Sequence, residues 1–151
     1  MIKRIQWDEP DQVRYLYDLQ RQAYLIEANL IGSMNLPPLK ESFDQFQNCG
    51  ETFYGWFEGD ELAGAISITL ENEELTICRL AVHPNHFRKG IGQNLLRFVE
   101  RHFADIGRMN VSTGRDNTPA INLYMQNGFH MVKEIEAEPR LFIRLFTKEG
   151  S

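Results

Sequence analysis

Cysteine is scarce in this 151-residue chain: only Cys49 and Cys78 occur, without C-x-x-C spacing, which argues against a zinc site or a disulfide framework. His83 and His86 flank Pro84 in an expected turn, and no carboxylate stands at a recognisable ligand spacing, so no metal is expected. Long apolar runs are missing too. Nothing approaches the roughly 18 consecutive apolar residues of a membrane span, and the opening MIKRIQWDEPDQ lacks the apolar core of a signal peptide. The expectation is a soluble, reduced, cytoplasmic chain with no membrane partner. Positive charge is in deficit. A net charge of −5 argues against sequence-independent nucleic-acid binding, which needs a basic face to neutralise phosphates, so no nucleic-acid partner is expected. No internal repeat, linker or low-complexity segment interrupts the pattern.

Hydrophobic residues make up 42% of the chain, enough for one continuous core. Residues 1–148 are expected as a single domain, with 149–151 as a tail. Residues 1–6 suit an edge strand. Val13, Leu16, Tyr17, Tyr24, Ala28 and Ile31 recur at spacings of three, four and seven, which predicts a helix from 11 to about 31, stopped by Gly32 and Pro37-Pro38. A shorter helix is predicted over 39–48. The runs 52–57, 61–70 and 74–82 are rich in β-branched and aromatic residues and read as an antiparallel meander. Alternation slips once in the third run, between Ile77 and Leu80, as a β-bulge would make it. A further helix should begin near Gly90, carrying Ile91, Leu95, Leu96, Val99 and Phe103 on one stripe, with a strand at 109–112 after it. Thr118 suits an N-cap for a helix over 119–127. Segments 129–136 and 140–147 read as a strand pair turning near Glu138-Pro139.

The chemistry gathers where a strand meets a helix start, in Leu80-Ala81-Val82-His83-Pro84-Asn85-His86-Phe87-Arg88-Lys89-Gly90-Ile91-Gly92. The first amides of a helix have no intrahelical partner, and with the helix dipole they bind anions; Gly90 and Gly92 would let backbone approach a phosphate closely. Arg88, Lys89, Arg97 and Arg101 supply positive charge nearby, although on charge alone a solvated helix face accounts for them better. A dinucleotide fingerprint needs a third glycine where Leu95 stands, and an ATPase phosphate loop needs Gly-Lys-Ser/Thr. Neither is present. The two glycines alone fit a structural turn as well as a phosphate cradle.

Two stretches carry a resemblance. Leu80, Val82 and Pro84 followed by R-K-G-I-G and an amphipathic helix resemble the acetyl-CoA motif of the GNAT superfamily, Gln/Arg-x-x-Gly-x-Gly/Ala, and Asn117 to Phe129 resembles its N-x-x-A-x-x-L-Y-x-x-x-G-F segment. The element order from Met1 to Lys148 is similar as well. The resemblance implies an α/β fold of the α+β type: a mostly antiparallel sheet of about six to seven strands, about four flanking helices, and a splayed, bulged central strand. It implies an acetyl-CoA-dependent N-acetyltransferase, with acetyl-CoA as co-substrate and an amine as acceptor, and it allows a homodimer. Carried over by position, the main chain of Leu80, Ala81 and Val82 would pair with the pantetheine arm. The amides of Arg88, Lys89, Gly90, Ile91, Gly92 and Gln93 would hold the pyrophosphate, Asn117 would touch the cofactor arm, and Tyr124 would be the general acid. Phe87 departs from the family's Gln or Arg, which would weaken cofactor binding.

Glu74 is the candidate general base, although the position matching the family's glutamate is Thr76, two residues later on the same face. Tyr24, Glu27 and Asn29 fall in the region that borders the acceptor in this family. Cys78 reads as a small buried hydrophobe, and Tyr15 and Tyr17 as helix-face packing. The acceptor pocket would draw on the first two helices, the loop from Gly32 to Pro38 and the C-terminal strands. A non-catalytic acyl-CoA sensor using the same cradle is the alternative, and an interaction domain with a chance glycine turn is a third.

Overall fold

The computed structural model describes residues 1–32 and 37–150. Its order is β1 (Ile2–Arg4), α1 (Pro10–Ile31), α2 (Pro37–Lys40), α3 (Phe43–Gln47), β2 (Thr52–Glu58), β3 (Glu61–Glu71), β4 (Glu74–Val82), a 3-10 turn (Pro84–His86), α4 (Ile91–His102), β5 (Arg108–Gly114), α5 (Thr118–Gln126), β6 (His130–Glu138) and β7 (Leu141–Glu149). The seven strands form one sheet in the order β1-β2-β3-β4-β5-β7-β6. Every pairing is antiparallel except β4 with β5. This is the α+β architecture the resemblance implied.

Strand alternation divides the core into two layers. Ile66, Ile68, Leu75, Ile77, Val111 and Phe146 point to one face, where α4 buries Ile91, Leu95, Leu96 and Val99 among them. The opposite face holds Phe53 and Ala65 against Val13, Leu16 and Leu19 of α1 and Phe46 of α3. Each fully buried leucine-sized side chain contributes roughly 1.5–3 kcal/mol, so both helices are fixed in rotation over the sheet. Gly64 sets how closely α4 approaches: a Cβ there would lie 2.8 Å from Ile91 Cγ2.

The bulge is real and its place is definite. Ser67 pairs with Arg79 and Ile68 with Ile77, leaving Cys78 as the extra residue. Just there the parallel pairing ends: β4 and β5 pair from Glu74↔Arg108 to Ile77↔Val111, after which β5 continues to Gly114 against β7 alone. A wedge therefore opens between Leu80–Val82 and the end of β5.

Three local expectations are corrected, the first being that Cys78, read as a buried hydrophobe, is exposed because the bulge turns it out of the alternation. The helix predicted over 39–48 is two segments, because Ser42 starts a new one: its Oγ accepts from the Gln45 amide at 3.1 Å, while Gln45 Oε1 accepts from the Ser42 amide at 2.9 Å. This reciprocal cap is worth on the order of 1 kcal/mol and outweighs continuation of the preceding turn. The N-cap of α5 is Asn117, not Thr118; its Oδ1 accepts from the Ala120 amide at 3.4 Å. Among the described residues, no helix is long and apolar enough to cross a membrane.

Candidate active site

The wedge in the sheet is the floor of a cavity of about 650 Å³. Leu80, Ala81 and Val82 of β4 form that floor, Phe87, Arg88 and the start of α4 form one end, and Tyr24 and Glu27 of α1 form the other. Asn117, Ala120 and Tyr124 wall it from α5.

At the α4 end the backbone is shaped for an anion. Gly90 is the N-cap, left-handed at φ 74°, and no side chain caps the helix. The leading amides of α4 are thus left without capping partners. Arg88, a non-glycine residue, is also left-handed at φ 66°, a conformation that costs about 1–3 kcal/mol and recurs where ligands bind. Together these residues border a concave site with uncapped amides and the positive end of the α4 dipole beside it. A Cβ on Gly90 would meet open space, whereas one on Gly92 would face Leu123 at 3.4 Å and Val82 at 3.9 Å, narrowing the groove. Gly90, Ile91, Gly92 and Gln93 all border the cavity, as does Arg88. Lys89 does not. Its Nζ lies 3.0 Å from His86 Nδ1, while His86 Nε2 lies 3.0 Å from Glu61 Oε1.

At the far end a second, polar hollow of about 70 Å³ continues through the wedge, sharing Tyr24, Glu27, Leu80, Asn117 and Tyr124 with the first and adding Arg79 and Thr113. Glu27 Oε1 accepts from Asn117 Nδ2 at 3.1 Å and from Thr113 Oγ1 at 3.3 Å. Burial raises its carboxyl above the usual range, partly offset by hydrogen bonds from Asn117, Thr113 and the Gly114 backbone. Burial, reinforced by the charge of Glu27, pushes the Tyr124 phenol well above its ordinary value; Tyr24 is pushed up likewise, by burial first and Glu27 second. Tyr124 is buried, packed on Phe129 and Phe146.

A family model described as the acetyltransferase (GNAT) family matches residues 9–129. This chain belongs to the GNAT acetyltransferase family. Among similar proteins, the UPF0157 protein YqkA of Bacillus subtilis (strain 168) is 39% identical over 146 residues, covering 97% of this chain and 43% of that protein. The peptidyl-lysine N-acetyltransferase YiaC of Escherichia coli (strain K12) is 32% identical over 77 residues, 51% of this chain and 49% of that one. The matched stretch thus spans under half the length of either relative. In fold the chain is similar to the ribosomal-protein-S18-alanine N-acetyltransferase of Escherichia coli (TM-score 0.79, 17% identity, covering 100% of this chain and 94% of that one). It is also similar to the PaiA N-acetyltransferase of Thermoplasma acidophilum solved with coenzyme A (TM-score 0.76, 19% identity, 99% of each chain).

Within this GNAT domain, several expected residues lie elsewhere. Glu74 borders neither of the two joined cavities; it sits at the closed end of the β4–β5 pairing, where Asn110 Nδ2 donates to it at 3.1 Å and Arg108 Nη1 approaches to 3.7 Å. Thr76 borders a separate hollow over β5 and β7. Asn29 is exposed and off the cavity wall. Residues 33–36 of the Gly32–Pro38 loop lie outside the described residues. Arg79 and Thr113 were not singled out by the sequence reading. A signal for Arg79 existed, since it is a lone charge inside the apolar run of β4; Thr113 had none.

Proposed function

We propose that this domain transfers the acetyl group of acetyl-CoA directly to a primary amine. The observation that supports this best is the continuity of one cavity from the uncapped start of α4, along the splayed β4, to Glu27 and Tyr124. An anionic cofactor with an extended arm fits those residues: main-chain amides of Arg88 and of Gly90 to Gln93 for the pyrophosphate, and the backbone of Leu80 to Val82, paired with β3 but free on the β5 side, for the pantetheine, in the manner of an added strand. Acetyl-CoA supplies the thioester carbonyl that is attacked.

The protein's own groups handle two protons. An alkylammonium with a pKa of roughly 10 must lose one before its nitrogen can attack. Glu27 takes that role in our reading, directly or through water, because its carboxylate borders both cavities and its burial strengthens its hold on a proton. This replaces Glu74, which lies away from the cavity. As the N–C bond forms and the C–S bond breaks, Tyr124 gives its proton to the sulfur, and the nitrogen's second proton restores the Tyr124 phenol through water. Its raised pKa keeps that proton in place at neutral pH. Asn117 and Thr113 orient Glu27. The acceptor is an amine of a small molecule or a peptide.

Calorimetric titration with acetyl-CoA, beside a Gly90→Glu variant that puts bulk and negative charge into the cradle, tests the reading. Saturable wild-type binding, lost in a variant with an unchanged circular dichroism spectrum, is the expected result. No saturable binding by the wild type would withdraw the assignment in favour of an interaction domain.

A further inference from the structure

Arg79 occupies the position immediately after the bulge residue Cys78 and immediately before Leu80 on the cavity floor. Its side chain is 10% exposed and points to the α1 side of the sheet, over the rings of Phe46 and Phe53 at 5.3 and 5.9 Å. All five guanidinium donors are used. Nε and Nη2 donate to the two oxygens of Glu51, each at 2.9 Å; Nη1 and Nη2 donate to those of Glu41, at 2.6 and 2.9 Å; and Nη1 also donates to Gln20 Oε1 at 2.9 Å. Ser67 Oγ, across the bulge, donates to Glu51 Oε1 at 2.7 Å.

Each acceptor belongs to a different segment. Gln20 is on α1, Glu41 lies between α2 and α3, and Glu51 lies between α3 and β2. On α1, Gln20 is four residues before Tyr24 and seven before Glu27, so all three share a face. Gln20 is 3% exposed, and turning its oxygen to Arg79 leaves its own Nε2 without a partner among the described residues. A buried ion cluster of this kind is weak evidence for stability, because apolar replacements of the same shape are often as stable. What it supplies is a fixed geometry.

We propose that Arg79 is a positioning residue: it references the Tyr24–Glu27 face of α1 and the α2–α3 segment to the bulged strand, holding the proton-handling end of the cavity at a set distance from the thioester strand. The inference rests on the acetyltransferase reading above. It predicts a split between two functions. The cofactor cradle at α4 follows the C-terminal end of β4 and shares no hydrogen bond with the cluster, whereas placement of Glu27 rests on it.

The experiment uses R79K and the triple variant R79M/E41Q/E51Q, which removes the charges together and so strands no buried carboxylate. Acetyl-CoA affinity is read by calorimetry. Turnover is read as coenzyme A release with Nα-acetyl-lysine amide, spermidine and alanine amide, using whichever the wild type consumes fastest. Hydrogen exchange is followed across residues 20–31. In the triple variant, cofactor Kd stays within about twofold, kcat falls on the order of 100-fold, as misplacement by about 1 Å produces, and amides of the C-terminal half of α1 exchange faster. R79K recovers part of kcat. Unchanged kcat in the triple variant, or cofactor affinity falling in step with kcat, overturns the proposal. A wild type that binds acetyl-CoA but consumes none of the three amines instead points to a sensor, and the reading of the function fails together with this one.

Discussion

Glu27 and Tyr124 sit at one end of one cavity, and burial raises the proton affinity of both, yet the chemical result differs. A phenol is already protonated at neutral pH, so raising its pKa only makes it a dependable donor. A carboxylate is ionised at neutral pH, so raising its pKa makes it a stronger base while moving the pH at which it becomes available upward. Tyr124→Phe should therefore lower kcat by about 100-fold or more, the usual scale of a lost general acid, with the calorimetric Kd for acetyl-CoA unchanged; a parallel loss of binding would place Tyr124 in the cradle instead. For Glu27 the base must be deprotonated, so kcat/KM should rise with pH along a limb lying above the ordinary glutamate range. Glu27→Gln should abolish that limb, and a limb that survives in the variant would belong to another group. Phe87, exposed at the cavity mouth, makes a third case. Phe87→Arg should tighten acetyl-CoA about tenfold through a charge-assisted contact, and equal affinities in a titration would show that backbone amides carry the phosphates unaided.

Among the elements, β4 does most to create the site, because a single extra residue separates a strand paired on both sides from one paired only with β3. Removing Cys78 restores alternation across Ile77–Arg79 and should let β4 run on beside β5, closing the wedge between Leu80 and the end of β5. The deletion variant is expected to keep its circular dichroism spectrum and lose acetyl-CoA binding; full binding would show that the splay does not need the bulge. This feature was legible before any coordinates, as were the limits of α1, the three central strands and α4, since each rests on periodicity within one segment. The Ser42 break was misread because a capping box competes with an apolar face shared by Leu39, Phe43 and Phe46. Site residues divided on the same principle. Arg88 to Gln93 and Tyr124 stand in local motifs, whereas Glu27 meets Thr113 and Asn117 across 86 and 90 residues, and no local pattern encodes such a meeting. Glu74 was placed by its strand and face, but the cavity opens at the strand's other end.

For the molecule as a whole, the site is a departure from the packing that surrounds it. The sheet has two faces, each sealed by apolar side chains, and between them the wedge admits a carboxylate whose hydrogen-bond partners, Asn117 and Thr113, are neutral. Such a group should weaken the fold in proportion to its ionisation. Its folded-state pKa is raised above the unfolded value, so below the ordinary glutamate pKa both states are protonated and there is no penalty. The penalty develops as pH rises through the window between the ordinary and the raised values, and it is complete above that window. Glu27→Gln should then raise Tm at pH 7 by about 2–4 °C, the shift that about 1 kcal/mol produces in a domain of this size, with little change near pH 4. Thermal melts of the two proteins at both pH values decide the matter. A gain at pH 7 alone, together with lost turnover, would mean that the domain gives up stability to keep its base. Equal gains at both pH values would assign the effect to packing of the amide rather than to the charge.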